Sequence, residues 1–357
     1  MHIPENDSMV IIMKNSTIAI TAAVIIVVVG IAAAIVAIGG GHPSSDDDHD
    51  RESDYYPVTV DAADLNGNMF SQTFNSEPRR IVTYMPQTAE LMCLFGLQDR
   101  VVRAVSASPD DVCVHSGIQS TYSALAERAG VKSLPSQEEL VADRPDLIIG
   151  WHSIFNYAGI NQSMSVWDER GVNYYVVNRP ADTLSDYTDM LMDIGTIFNM
   201  KERAQELIEE FESGVKRASE RTKDLLPEDK HTAMFIEVRS DGTYNLYGSK
   251  GTSSLTGNLI AAAGGVNIID TTVARASAEL VDTLTPDYVF ILVNTSIGTD
   301  EELAKAVSDF RSDPALASLC AQADGIYAFK LNDVFDGGVL PGDIVERLYE
   351  KMYGTDS

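Results

Sequence analysis

KERAQELIEEFESGVKRASERTKDL, residues 201–225, is the stretch on which the reading of the fold turns. Its apolar residues fall at Ala204, Leu207, Ile208, Phe211, Val215 and Ala218. They are three or four apart, which places them on one face of a helix. Glu212 and Lys216 add an i, i+4 pair, and Pro227 stops the pattern. A helix of about 25 residues is roughly 37 Å long, the diameter of a small lobe. The spacing therefore predicts a bridge between lobes rather than an element inside one. A single helical link also resists wide hinge bending.

On either side, short apolar runs alternate with helical patterns. Before the bridge come RIVTY (80–84), VVRAV (101–105), DLIIG (146–150) and YYVV (174–177). After it come TAMFIEV (232–238), YVFILV (288–293) and GIYAF (325–329). Continuous Ile/Val-rich runs separated by helices indicate buried strands of a largely parallel sheet. The expected fold class is α/β, with two lobes. Tyr55–Val60 and Met69–Phe74 flank the turn signal Asn66-Gly67-Asn68 and read as a leading β-hairpin. There is also an internal echo. Glu138 precedes Pro145-Asp146 and an apolar strand by the same spacing as Glu279 precedes Pro286-Asp287 and another.

The chain has 357 residues, with 53 Asp+Glu against 26 Lys+Arg and a formal net charge of -27. No basic cluster is present, so a nucleic-acid partner and an anionic lipid surface are both excluded as electrostatic targets. A 45% hydrophobic fraction excludes global disorder. From Asn15 to Ser45 no Asp, Glu, Lys or Arg occurs, and Ile18–Ile38 is almost wholly Ile, Val and Ala. As a helix that core spans roughly 31 Å, one hydrocarbon thickness. Residues 1–41 are expected to form an N-terminal membrane anchor or signal segment. An uncleaved transmembrane helix is favoured over a cleaved signal, for which Ala37–Gly41 offers small residues. No Cys follows the run, which excludes a lipid-modified cysteine there. Lys14 before it and Asp46, Asp47 and Asp48 after it place the rest outside the cell. Residues 42–54, HPSSDDDHDRESD, read as an acidic linker. The remaining divisions are 55–181 for the first lobe with its hairpin, 182–228 for the bridging segment and 229–357 for the second lobe.

Enzyme signatures are scarce. There is no phosphate loop of the Walker type and no G-x-S-x-G elbow. The three cysteines fit no zinc spacing. Cys93 and Cys320 read as core thiols and Cys113 as exposed, with a Cys93–Cys113 pair left open. His115 and His231 read as surface residues. What remains is a set of polar and aromatic residues at strand ends, where open α/β sheets bind ligands. Tyr84 and Met85 follow the first strand. Trp151 and His152 follow the third, with Tyr157 nearby. Arg239 follows the strand at 232–238, with Tyr244 and Tyr247 beyond it. Each alone is as readily a packing or surface residue. Together they describe a cleft between lobes suited to a large, planar or anionic ligand.

These residues carry a family resemblance. Pro78-Arg79-Arg80-Ile81-Val82, Ala89-Glu90-Leu91 and Phe95-Gly96-Leu97-Gln98-Asp99-Arg100-Val101-Val102 resemble the opening of extracytoplasmic binding proteins of iron-siderophore, haem and cobalamin ABC importers. Arg144-Pro145-Asp146-Leu147-Ile148-Ile149 resembles their first-lobe strand. Ile194-Gly195 with Glu202-Arg203-Ala204 resembles the approach to their bridging helix. Ala263-Gly264-Gly265-Val266-Asn267 and Thr285-Pro286-Asp287 resemble second-lobe elements. The motifs run in order over residues 55–353.

The resemblance implies two Rossmann-like lobes joined by a single long bridging helix, with the ligand cleft between them. It implies a monomeric binding protein and no enzyme, with no intrinsic cofactor. Its partners would be a small-molecule metal chelate, an ABC permease and a cytoplasmic ATPase. The ligand order it suggests is ferric siderophore, then cobalamin, then haem. Trp151 would suit cobalamin, Arg239 an anionic siderophore, and Tyr84, His152 or Tyr247 an axial haem bond. Glu138 and Glu279 align with the family's permease-docking positions, with Glu139 as the neighbour of the first. Two other readings are a membrane-tethered metal or tetrapyrrole enzyme of chelatase-like fold and a receptor that senses without transport.

Overall fold

A computed structural model of the chain describes residues 55–63, 68–151, 167, 169–177, 183–250, 254–294, 298–334 and 342–354. The predicted anchor and linker lie outside the described residues. No helix among the described residues is long and apolar enough to cross a membrane. Residues 48–357 form one compact unit.

The first sheet is wholly parallel. Its strands are β3 (Ile81–Tyr84), β4 (Val101–Val105), β5 (Gly130–Val131), β6 (Leu147–Gly150) and β7 (Asn173–Val176), in the order β5-β4-β3-β6-β7. Helices α1 (Pro86–Leu94), α2 (Gln119–Ala129) and α3 (Gln137–Asp143) connect them. Both faces are covered, which is why the longer of these strands read as largely apolar runs. Ile81 faces the main core, while Val82 packs on the opposite side with Trp167 and Ile148. Ahead lies the expected hairpin, β1 (Val58–Ala63) paired antiparallel with β2 (Met69–Phe74). It is pinned by Tyr55 and Tyr56, whose hydroxyls donate to the carbonyls of Thr196 (2.8 Å) and Ile197 (2.6 Å).

The second sheet is mixed. In it β8 (Thr232–Val238), β12 (Tyr288–Val293) and β13 (Gly325–Lys330) run parallel. Beyond β8, however, β9 (Tyr244–Tyr247) and β11 (Val273–Ala276) pair antiparallel, and the two-residue β10 (Val266–Asn267) joins the start of β8. These short strands carry no run long enough to be seen in the sequence. A turn at 239–243 makes the first antiparallel pair: the Arg239 N–H donates to Thr243 O, and Gly242 takes a φ of 76°. Helices α6 (Ser254–Ala262), α7 (Ala278–Asp282), α8 (Asp300–Ser312), α9 (Ala317–Gln322), α10 (Leu331–Val334) and α11 (Ile344–Tyr353) complete this part.

Between the sheets run α4 (Leu184–Ile197) and the predicted bridge, α5 (Lys201–Thr222), about 33 Å long. The α4–α5 corner explains the Ile194-Gly195 and Ala204 positions. A Cβ on Gly195 would lie 2.5 Å from that of Ala204, so the helices meet at a distance only glycine permits. Gly214 in α5 does the same for the returning chain, since a Cβ there would fall 1.4 Å from the Gly342 carbonyl oxygen. Ala204, Leu207, Ile208, Phe211 and Ala218 are buried along one face, as their spacing requires.

The Pro-Asp echo has one physical meaning in both sheets. The Asp146 carboxylate accepts the N–H groups of Arg79 and Arg80, both at 2.8 Å, just before β3. The Asp287 carboxylate accepts the Thr232 N–H at 2.7 Å and its hydroxyl at 2.9 Å, at the start of β8. Each Asp thus fixes where the neighbouring parallel strand begins, and each preceding Pro is buried.

Candidate functional site

A cavity of about 630 Å³ opens at the carboxyl ends of β8 and β12, with α8 as one wall. Glu237, Arg239, Tyr244, Asn294, Asp309 and Phe310 are among its lining residues. Its volume falls in the range of small-molecule sites. The walls combine apolar side chains such as Ile291 and Leu316 with a few fixed polar groups. On the opposite face of the sheet from Tyr244, the Glu237 carboxylate accepts hydrogen bonds from the Tyr247 hydroxyl and the Asn245 amide, both at 2.8 Å. Asp313 accepts the Tyr244 hydroxyl at 3.3 Å and the Ala315 N–H at 2.9 Å. Arg239 is held only loosely: its Nε is buried without a hydrogen-bond partner among the described residues and lies 3.9 Å from Asp241. Asp241 also pairs with Arg275 at 3.3 Å, and bonds from Thr243 keep its carboxyl below the usual range.

A second polar cluster sits where the carboxyl ends of the two sheets meet. Lys330, the last residue of β13, is 5% exposed, and its Nζ donates to the Val112 carbonyl at 2.5 Å. Asp333 lies 3.3 Å from the same ammonium. Opposite, Glu90 of α1 is 4% exposed and accepts the His115 N–H at 2.8 Å. Burial pushes its carboxyl up to about 7, against the pull of the His115 N–H and the Lys330 charge. Gln87 is 2% exposed, and its amide oxygen and nitrogen are buried with no hydrogen-bond partner among the described residues. The gap between these side chains is about 10 Å³, room for one water. Next to it, Met85 caps α1 at φ 80°, ψ 145°, a conformation L-residues rarely adopt, and Ser106 takes φ 65°. Such backbone strain gathers at ligand clamps and switches.

The predicted site residues separate on this geometry. Arg239 lines the cavity, and Met85 stands at the strained β3–α1 junction. Trp151 follows β6 but is only 8% exposed and belongs to the main core. Tyr84 is a correction. It alternates with Thr83 along β3, so its ring joins Val82, Leu140 and Trp167 in the outer core and not a cleft. Tyr247 is a second correction. Its register opposite Phe235 buries the ring, and its hydroxyl is spent on Glu237. Tyr244, on the other face of β9, is the tyrosine at the cavity. His152 and Tyr157 lie outside the described residues.

Cys113 is buried, not exposed, and burial pushes both its thiol and that of Cys93 up to about 12. All three cysteines are free. His115 is partly covered, and His231 packs between Tyr288 and Tyr353. Sequence reasoning missed Asp309 and Asp313, four apart on α8 and its end, and gave Gln87, Glu90 and Lys330 no role. The only signal for them was the helical spacing of the first pair.

Glu138 and Glu279 occupy equivalent places. Each is the second residue of a short helix, α3 or α7, capped by a serine two residues earlier, Ser136 or Ser277. Both are exposed. Glu139 is different: its carboxylate accepts the Ser136 N–H at 2.7 Å, closing a capping box.

Two α/β sheets joined through a long helix, with a cavity and a polar contact at strand carboxyl ends, define a ligand-binding class of protein. The chain belongs to the periplasmic binding protein family, whose profile matches residues 81–326. It is 24% identical to an uncharacterized ABC transporter substrate-binding lipoprotein of Bacillus subtilis, over 54% of this chain and 55% of that protein. The chain thus spans about half the length of the curated relative it matches. Among solved structures it resembles a periplasmic binding protein from Veillonella parvula, at 22% identity and a TM-score of 0.66 over 85% of this chain and all of that one. It also resembles an ABC-type Fe3+-hydroxamate transport protein from Saccharomonospora viridis, at 19% identity and a TM-score of 0.61 over 84% of this chain and all of that one. At these identities the likeness is one of fold.

Proposed function

We propose that this chain captures a small metal chelate outside the cell and delivers it to an ABC permease driven by a cytoplasmic ATPase. The observation that carries the proposal is the cavity of about 630 Å³ at the carboxyl ends of β8 and β12 in a periplasmic-binding-protein fold. A ferric siderophore is the first choice of ligand, then cobalamin, then haem. The neighbour described as an ABC-type Fe3+-hydroxamate transport protein supports the first choice. The protein works as a monomer and turns nothing over. The apolar run at 18–38 tethers it to the membrane, with the acidic linker at 42–54 as spacer. Segment 182–228 joins lobes 55–181 and 229–357.

Glu138 and Glu279 meet basic residues of the permease, one from each lobe. Their equivalent exposed positions support this pairing. The test is charge reversal, Glu138→Lys with Glu279→Lys, in cells taking up a radiolabelled ferric siderophore. Uptake is expected to fall about tenfold or more while the affinity of the purified protein is unchanged. Loss of ligand affinity, or unimpaired uptake, would refute the docking role.

A further inference from the structure

Lys330 reaches from the end of the second sheet to the first. Its stem runs against Gly298, where a Cβ would come within 2.8 Å of Lys330 Cδ, and its ammonium donates to the Val112 carbonyl in the segment after β4. The gap around it is about 10 Å³, so nothing the size of a chelate passes between these carboxyl ends while that bond stands. Among the described residues Lys330 is the one cation on the wall of this gap, and three carboxyls surround it. Asp111 is satisfied on the first sheet's side, where it accepts the Tyr122 hydroxyl at 2.7 Å and the Ser108 N–H at 2.8 Å. Asp333 lies 3.3 Å from Lys330 and 3.9 Å from Arg347. Glu90 is the most buried of the three and accepts the His115 N–H. Cys93, Cys113 and Tyr122 also face it, and none of them brings positive charge. One ammonium does not neutralise three carboxylates in so dry a place, and Glu90, the deepest, is the one that stays neutral. Parting the sheets would let water reach Glu90 and return it to an ordinary carboxyl. The Gln87 amide on the same wall, buried with no partner among the described residues, would gain water as well.

We infer that the Lys330–Val112 bond is a proton-coupled latch between the two sheets, closed over a protonated Glu90 and opened as Glu90 gives its proton to water. The inference goes beyond the capture reading and stands whatever the cargo is. Its sign follows from burial. Glu90 holds its proton up to about pH 7 in the closed contact and only to about 4.5 once hydrated, so opening becomes easier as the pH rises between those values.

The test is hydrogen exchange by mass spectrometry on the full chain in detergent micelles, at pH 5.5 and pH 8, corrected for intrinsic exchange rates. The reporters are the amides of residues 110–116, among them the Cys113 and His115 N–H groups held by Gln119 and Glu90. Their protection is expected to fall at least about tenfold from pH 5.5 to pH 8, while the amides of β3 and β12 keep theirs. Glu90→Gln, which stays neutral and keeps an acceptor for the His115 N–H, should remove that pH dependence. Lys330→Met should lower protection of 110–116 at both pH values, with thermal unfolding to show that the variant is folded. Equal protection of 110–116 at the two pH values overturns the inference, as does a Glu90→Gln variant with the wild-type pH dependence. A Lys330→Met variant with wild-type protection overturns it too. So does a loss shared equally by β3 and β12, which would report global stability and not a latch.

Discussion

Glu90 shows most clearly how a single residue escapes a sequence reading. In the sequence it is one of 53 acidic residues, and a surface place is its default. In the fold it is 4% exposed, between α1 and the segment that carries His115. Its carboxyl, raised to about 7, holds more protons in the folded state than in the unfolded chain between an ordinary carboxylate pKa near 4.5 and pH 7. Folding stability therefore falls as the pH rises through that window and levels off above it. The size is on the order of 3 kcal/mol. Denaturant titrations of wild type and Glu90→Gln from pH 4.5 to 8 are expected to show this slope in the first and a flatter line in the second. Equal slopes would mean that Glu90 ionises as if exposed. Tyr84 and Tyr247 teach a related lesson. The sequence puts Tyr84 at a strand end and Tyr247 only beyond the strand at 232–238, but the alternation along β3 and β9 turns both rings into the core. The place of Arg239 in the fold was legible because it follows a strand whose extent, 232–238, the apolar run marks.

The parallel strands were the most legible elements, since burial on both faces leaves few polar residues to blur the run. Strands β4, β8 and β12 fall where VVRAV, TAMFIEV and YVFILV place them. The bridge α5 begins at the predicted Lys201 and ends at Thr222, before Pro227, because its amphipathic face is long and regular. Lys216 pairs with Glu220 at 3.9 Å on its exposed side. The antiparallel strands β9 and β11 were not legible, being four residues each and defined by partners far away in sequence. The Pro-Asp echo was visible as a pattern but not as a mechanism. The structure makes it a strand clamp, and that yields a test. Asp146→Ala removes two charge-assisted bonds to backbone N–H groups, and Asp287→Ala removes bonds to the Thr232 N–H and hydroxyl. Each substitution is expected to cost about 1–3 kcal/mol by chemical denaturation, to a similar degree in the two sheets. A change below about 0.5 kcal/mol at either site would show that the strand start is fixed by something else.

For the whole molecule, the ordered motifs over residues 55–353 were enough to indicate an α/β binding protein. They did not show where the cavity lies. That depends on how α8 rests against the sheet and on which carboxylates the turn at 239–243 brings together. Nor did they show the Lys330–Val112 bond, made between residues 218 apart in sequence, through which the carboxyl ends of the two sheets touch.

The central claim is that the cavity between α8 and the ends of β8 and β12 takes a metal chelate. Ala306 is a partly buried residue on its wall, so Ala306→Trp fills the space without cutting a hydrogen bond. The decisive measurement is isothermal titration of ferric siderophores, cobalamin and haem into the wild type and Ala306→Trp, with thermal unfolding to verify that both are folded. The account predicts saturable one-to-one binding of at least one of them by the wild type, with Kd below about 10 µM, and weakening of at least about tenfold in Ala306→Trp. Binding that survives Ala306→Trp unchanged, or none of these ligands binding the wild type, would contradict it.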